Sequence, residues 1–351
     1  MLSIDWVENP SIRECFFMKK SRILKDFDFY IEEYMYFCRS RQLRPKTMQS
    51  YEQTLRLFER WCADSEQITE PGQVREQTIR HYICDLQERG KYTFYVMDER
   101  RDTNCPERRR DYRQSISNTT INNYLRNLRA FFSWFSEESG KPSPMLKVQL
   151  LKNDRTPQEY MEDDEVERLL RIFDKSYFPE HRDSTIILLL LDTGMRIGEC
   201  LQITIDDLDM NERTIYLPAE NTKGRKGRYV FFSLKTARTL QRWLRFKDRY
   251  TDSMLLFPVK AGTPLEVRSF EGNFRKYLNR SKIDKDLSPH ALRNNFAKRC
   301  IMAGMDLYTL SRILGHSSVT VTEKAYLDLS DRDLRRCYQR FSPVDNMRFG
   351  K

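Results

Sequence analysis

The stretch that most constrains the fold of this chain runs from Thr119 to Glu138. Ile121, Tyr124, Leu125, Leu128, Phe131, Phe132 and Phe135 recur there at steps of three and four, the period of a helix with one buried face. Asn122, Asn123, Arg126 and Arg129 lie on its polar side, and Ser117 or Asn118 supplies the cap. Such a face needs partner helices, and the upstream sequence reads as three. The first begins at Ile23 and carries Phe27, Tyr30, Ile31, Tyr34 and Met35 on one side. The second follows the break at Arg44-Pro45-Lys46-Thr47 with Tyr51, Leu55, Leu57, Phe58 and Trp61. The third, after Glu70-Pro71-Gly72, covers Val74 to Glu88 with Ile79, Tyr82, Ile83 and Leu86 inward. Residues 23–145 therefore read as a small helical bundle behind an extension over 1–22, and no residue set in it looks catalytic.

Gly140-Lys141-Pro142-Ser143-Pro144 ends the bundle, and 146–158 reads as a linker, polar from Lys152 to Gln158. A chain of 351 residues suits two domains. The second, over 159–330, mixes element types. Helices are expected over Glu162–Phe173, Ser184–Leu191, Leu234–Asp248, Ser269–Arg280, Asp306–Leu314 and Val319–Leu327, with another opening at Pro289. Thr214–Leu217 and Arg228–Phe232 read as strands joined by a glycine-containing hairpin. A terminal helix, Asp331 to Phe341, lies in the tail over 331–351.

Composition narrows the partners. Lys and Arg number 61 against 51 Asp and Glu, a formal charge of +10 that favours a polyanion without requiring one. The segment Gly90 to Ser115 is highly charged and aperiodic. It is either a solvated loop or a basic loop touching a phosphate backbone through Arg108, Arg109, Arg110 and Arg113. The longest apolar run, Ile186 to Leu191, is too short for a bilayer, and the opening residues lack a secretory layout, so a cytoplasmic protein without membrane contact is expected. The eight cysteines form no CxxC pair and read as reduced, mostly core thiols, and no metal site is expected.

The chemistry-bearing residues gather late in the chain. SPHALRNNFA holds His290 with Arg293 one turn on, and LGHSSVTVTEKAY holds His316 and Tyr326. DTGMRIGE contributes Arg196 and Glu199. Alone this pair is a surface salt bridge, but its apolar flanks argue for partial burial. Lys223 sits on the hairpin TKGRKGRYV. Two arginines and a histidine can hold phosphodiester oxygens, a tyrosine can attack phosphorus, and a lysine and a histidine can move protons. No acidic cluster for Mg²⁺ and no Walker A sequence is present, so no cofactor is expected.

DTGMRIGE, TKGRKGRYV, SPHALRNNFA and LGHSSVTVTEKAY, in that order over Thr156 to Ser330, resemble the catalytic domain of the tyrosine recombinases, which include phage integrases, XerC/XerD-like enzymes and transposon integrases. RPKTMQSYEQTLRLFERW and TINNYLRNLRAFFSWF more loosely resemble that family's core-binding domain. The resemblance implies a mainly α fold with a small antiparallel β-sheet in the catalytic domain, arranged as a two-domain DNA clamp. It implies Tyr326 as nucleophile giving a 3′-phosphotyrosyl link, with Arg196, Arg293 and His316 on the phosphate. Lys223 would protonate the leaving 5′ oxygen, with Lys226 as the alternative if the hairpin register differs. His290 would transfer a proton, and Glu199 would support Arg196. DNA contacts are expected from Arg44, Lys46, Thr47, Asn122, Asn123, Arg126, Arg225 and Lys226. Implied partners are duplex DNA with paired recombination sites, a homotetramer joined through the C-terminal helix, and an accessory DNA-bending or excision factor. A nucleoid-associated integrase or transposase of a mobile element is the main expectation. A resolver of chromosome or plasmid dimers and an inactive DNA-binding relative are the alternatives. Tyr326 stands ten positions after His316, where many members have nine, and Asn294 stands where many carry histidine.

Overall fold

The computed structural model describes residues 26–94, 105–153, 159–222, 224, 226–316, 318, 323, 333, 335, 338 and 339. The expected extension over 1–22, Lys223, Arg225, Tyr326 and most of the expected helix over Val319–Leu327 and of the terminal helix fall outside them. The chain divides into two compact units between Arg155 and Thr156.

The first unit is built from α1 (Phe27–Ser40), α2 (Pro45–Trp61), α3 (Glu76–Glu88) and α4 (Asn118–Ser139). Local chemistry sets their ends. The Asp26 side chain accepts from Phe29 N to start α1, Pro45 opens α2, and Ser117 caps α4 by accepting from Thr120 N. Gly140 ends α4 in the left-handed conformation, φ +70°. The core is aromatic: Phe27, Tyr34, Phe58, Tyr82, Phe131 and Phe132 are all nearly or fully buried. Phe58 meets Tyr82 edge-on at 4.9 Å between centroids, and such pairs add to plain area burial.

Two features of this unit differ from the sequence reading. The first residues of the expected 146–158 linker pack on this unit: Val148 is buried in the core, and Arg129 Nη2 donates to Val148 O at 2.6 Å. Residues 148–153 are thus fastened to α4. The basic segment is pinched at its base, with Gly90 bridging Ser115 and Lys91 N donating to Gln114 O at 2.8 Å. Arg109 lies over the Tyr92 ring at 4.4 Å, and Arg108, Arg109, Arg110 and Arg113 are exposed.

The second unit comprises α5 (Asp163–Arg171), α6 (Phe178–Thr193), α7 (Ile197–Cys200), β1 (Leu208–Asp209), β2 (Thr214–Leu217), β3 (Arg228–Phe231), α8 (Leu234–Lys247), α9 (Val267–Arg280), α10 (His290–Met302) and α11 (Leu307–Leu314). The strands form an antiparallel sheet in the order β1-β2-β3, one short strand more than the expected hairpin. Tyr216 pairs with Tyr229 and Ile215 with Val230, so one sheet face is aromatic and exposed and the other is buried. α6 is the central helix and packs on α8 and α10, with Ile186, Ile187, Leu189 and Leu190 in the core. Ala297, Ile301, Leu310 and Leu314 join α10 to α11 in a smaller cluster. Of the six described cysteines, Cys38, Cys62 and Cys200 are buried, Cys105 and Cys300 are half-buried and Cys84 is exposed, so fewer are core residues than the sequence suggests.

Candidate active site

The site grows from the place where α6 stops. Gly194 takes φ +64°, its N–H bonding Leu190 O at 3.0 Å, and the chain turns back into the short helix α7. Arg196 is the N-cap of α7 and Glu199 lies three residues on. The Glu199 carboxylate accepts from Arg196 N at 2.9 Å and from Arg196 Nη1 at 2.8 Å. Glu199 is only 3% exposed, so the expected partial burial of this pair holds, and the carboxylate needs cations to stay ionised.

A second cation reaches it from β3. Arg228 donates through Nη2 at 2.7 Å and Nη1 at 3.2 Å to the two Glu199 oxygens, a bidentate fork. Burial alone would raise the Glu199 pKa. The hydrogen bond and charge of Arg228, then the backbone and side-chain hydrogen bonds of Arg196, outweigh it and hold the carboxyl below its ordinary value. Arg228 is the residue that sequence reasoning missed. A signal was present: period-two alternation puts it on the same face of β3 as buried Val230, and an inward arginine must find a partner.

Arg293 comes from the first turn of α10 and is 3% exposed. Its Nη1 donates to Gly194 O and its Nη2 to Leu314 O, both at 2.8 Å. These carbonyls lie at the C-terminal ends of α6 and α11, where backbone acceptors lack helical partners and a cation is favoured. Burial, then the charge of Arg196, with Arg228 adding to it, pushes the Arg293 guanidinium down to about 9. It remains charged at neutral pH.

α11 ends at Gly315, φ +66°, and His316 follows, its N–H bonding Ser311 O at 3.0 Å. Its imidazole is half-buried and pushed down to about 4 by burial and by Arg293, Arg196, His290 and Arg228. The ring is therefore neutral at pH 7. Because the folded value lies below the ~6.5 of a free imidazole, the neutral ring contributes stability above that pH, and this contribution is lost as pH falls toward about 4. In an NMR titration, the His316 ring resonances are expected to hold their neutral shifts through pH ~6.5 and to move only near about 4. A midpoint at the free-imidazole value would show that the arginine charges do not reach the ring.

Arg196, Glu199, Arg228, Arg293 and His316 thus interact as one cluster, in which three guanidiniums face one carboxylate. His290 opens α10 with its side chain exposed, and its charge also reaches His316. Lys223 and Tyr326 lie outside the described residues. Of the residues expected to meet DNA, Lys46, Asn123, Arg126 and Lys226 are exposed, and Arg44 and Thr47 are half-buried at the start of α2. Arg225 lies outside the description. Asn122 is a correction. It is 2% exposed, donates to Leu151 O at 2.9 Å and accepts from Leu151 N at 2.8 Å. It fastens the 148–153 segment to α4 and has no face left for a ligand.

An excess of arginine over carboxylate around a half-buried, neutral histidine is a cradle for an anion such as a phosphodiester. Residues 159–333 match the phage integrase family, and residues 31–94 match the phage integrase N-terminal SAM-like domain. Tyrosine recombinase XerC of Bacillus subtilis (strain 168) is 29% identical over 239 residues, covering 66% of this chain and 77% of that protein. Tyrosine recombinase XerC of Oceanobacillus iheyensis is 22% identical over 331 residues, covering 92% and 99%. Among solved structures, the Tn1549 transposon integrase in complex with transposon right end DNA has a TM-score of 0.65 at 20% identity, covering 89% of this chain and 99% of that one. The chain belongs to the phage integrase family of tyrosine recombinases, site-specific enzymes that cut and rejoin DNA.

Proposed function

We propose that this recombinase binds duplex DNA at paired recombination sites and that Tyr326 is its nucleophile. The observation that carries the reading is the cluster of Arg196, Arg228 and Arg293 beside neutral His316, which suits a phosphodiester losing its leaving group. In this reading Arg196, Arg293 and His316 hold the non-bridging oxygens. The Tyr326 phenolic oxygen attacks phosphorus while the bond to the 5′ oxygen breaks. The tyrosine proton passes to His290, and Lys223, or Lys226 in the alternative hairpin register, gives a proton to the leaving 5′ oxygen. The phosphodiester is conserved as a 3′-phosphotyrosine, and attack by a 5′-hydroxyl reverses the step. Arg44, Lys46, Thr47, Asn123 and Arg126 on the first unit, and Arg225 and Lys226 on the second, meet DNA. The domains are 23–145, with 148–153 fastened to it, and 159–330. The helix Asp331–Phe341 docks on a neighbouring copy, so the working unit is a tetramer on DNA, helped by an accessory DNA-bending or excision factor at the nucleoid.

The role proposed is integration or transposition of a mobile element, supported by the long basic segment Gly90–Ser115, which a compact housekeeping enzyme does not need. The second reading, dimer resolution, is favoured by the relatives named XerC. The reaction itself is tested with a duplex nicked near the crossover, which traps the cleaved strand. The wild type is expected to form a covalent protein–DNA adduct and Tyr326→Phe none, with DNA binding kept within about threefold, since phenylalanine keeps the ring but has no nucleophile. Equal adduct from both removes Tyr326 from its role. Binding without adduct in the wild type points to an inactive DNA-binding relative.

A further inference from the structure

We propose that Arg228, to which none of the steps above gives a role, is a positioning residue for strand cleavage, fixing Arg196 and the loop before His316 to one another; the proposal rests on the recombinase reading. Arg228 touches both halves of the phosphate cradle at once. Its two Nη atoms hold Glu199, the carboxylate that also binds the side chain and backbone N–H of Arg196. Its Nε donates to Ile313 O at 3.2 Å, in the last turn of α11, where the carbonyls lack helical partners and favour a cation. Between that carbonyl and His316 lies Gly315, and a Cβ there would stand 2.9 Å from both Arg228 Cδ and Nε. The backbone leading into His316 therefore rests directly on the Arg228 side chain.

The arrangement requires arginine. A lysine could satisfy Glu199 or Ile313 O, but one ammonium cannot fork to two carboxylate oxygens and reach a third acceptor in another element. Arg228 also begins β3, five residues after Lys223, so the strand that leaves the hairpin is tied to the phosphate cradle at its first residue. Glu199 links the arginines sideways, and Arg228 links the Arg196 segment to the His316 segment. Three of its five N–H groups go to Glu199 and Ile313 O, so its effect is assigned to Arg196 and His316 and not to a contact with DNA.

The test is a double-mutant cycle on single-turnover cleavage of the trapped substrate. Arg228→Gln is expected to slow cleavage about 10²-fold, the scale of a small misplacement of a catalytic group, with DNA affinity changed less than about threefold. In an Arg196→Lys background the same substitution should cost under about threefold, because the group it positions is already compromised. Arg228→Lys should fall between wild type and Arg228→Gln. An equal fold-loss in both backgrounds would mean that Arg228 only supports the fold, and an unchanged rate for Arg228→Gln would remove it altogether; either overturns the proposal. If Arg228→Gln does not fold, Arg228→Lys takes its place in the cycle, and an equal loss in both backgrounds or an unchanged rate again overturns the proposal. A wild type that forms no adduct instead refutes the recombinase reading itself.

Discussion

Replacing Arg293 by alanine is expected to damage stability and chemistry together, each by a large factor. The side chain is 3% exposed and both of its hydrogen bonds run to backbone carbonyls, Gly194 O and Leu314 O. Truncation leaves two buried acceptors unpaired, at ~1–3 kcal/mol each, and opens a cavity between the ends of α6 and α11. A combined loss of about 3–5 kcal/mol follows, which for a unit of this size lowers the melting temperature by roughly 10 °C. Cleavage of a trapped substrate should fall by more than about 10³-fold, the scale for removing a preorganised charge from a transition state. Arg293→Lys separates the two effects: it keeps the charge but loses the fork across two helix ends, so it should recover part of the stability and little of the rate. Thermal unfolding and single-turnover cleavage of both variants check this. A melting temperature within a degree or two of wild type for Arg293→Ala would mean that the carbonyls find other donors.

How much of this is legible in the sequence depends on how local each determinant is. The stripe from Ile121 to Phe135 declares its helix because periodicity, cap and terminating glycine all lie within the segment itself. The expected helix Ser184–Leu191 is shorter than α6 because the first turns of α6 carry His181, Arg182 and Asp183, which look like surface residues. They are buried instead: Asp183 pairs with Arg182 and accepts from Asn273 and Tyr277, some ninety residues on. Asn122 misleads for the same reason, since its partner Leu151 lies beyond the end of α4. β1, two residues long, carries no readable pattern. In the site, Arg196 and Glu199 can be paired from spacing, because a capping box is a local object. The Arg228–Glu199 fork joins a strand to a short helix, and sequence offers only the inward position of the arginine as a hint. Local rules supply the members of the cradle, and the contacts across elements decide which of them hold the others in place.

Gly194 carries the second large effect, and a matched control isolates its cause. Gly194 and Gly140 both end a helix in the left-handed region, at φ +64° and φ +70°. Alanine at either costs ~1 kcal/mol or somewhat more for the backbone alone. Around Gly140 nothing lies within 4 Å of an added Cβ, so Gly140→Ala should stop there. At Gly194 the same carbon would overlap Phe296 Cδ1 and stand 2.8 Å from Leu314 Cδ2. Overpacking of this kind adds about 1–3 kcal/mol, because α10 and α11 must move away from the end of α6. That movement also shifts the carbonyl held by Arg293 and the turn that presents Arg196. Gly194→Ala is therefore expected to destabilise by about 2–4 kcal/mol and to slow cleavage by about 10²-fold even at temperatures where the protein remains folded. Gly140→Ala should leave cleavage within about twofold, since its ~1 kcal/mol is confined to the end of α4. Equal losses of stability and rate for the two variants would mean that backbone strain accounts for both and that the close packing of Phe296 and Leu314 against Gly194 plays no part in holding the arginines.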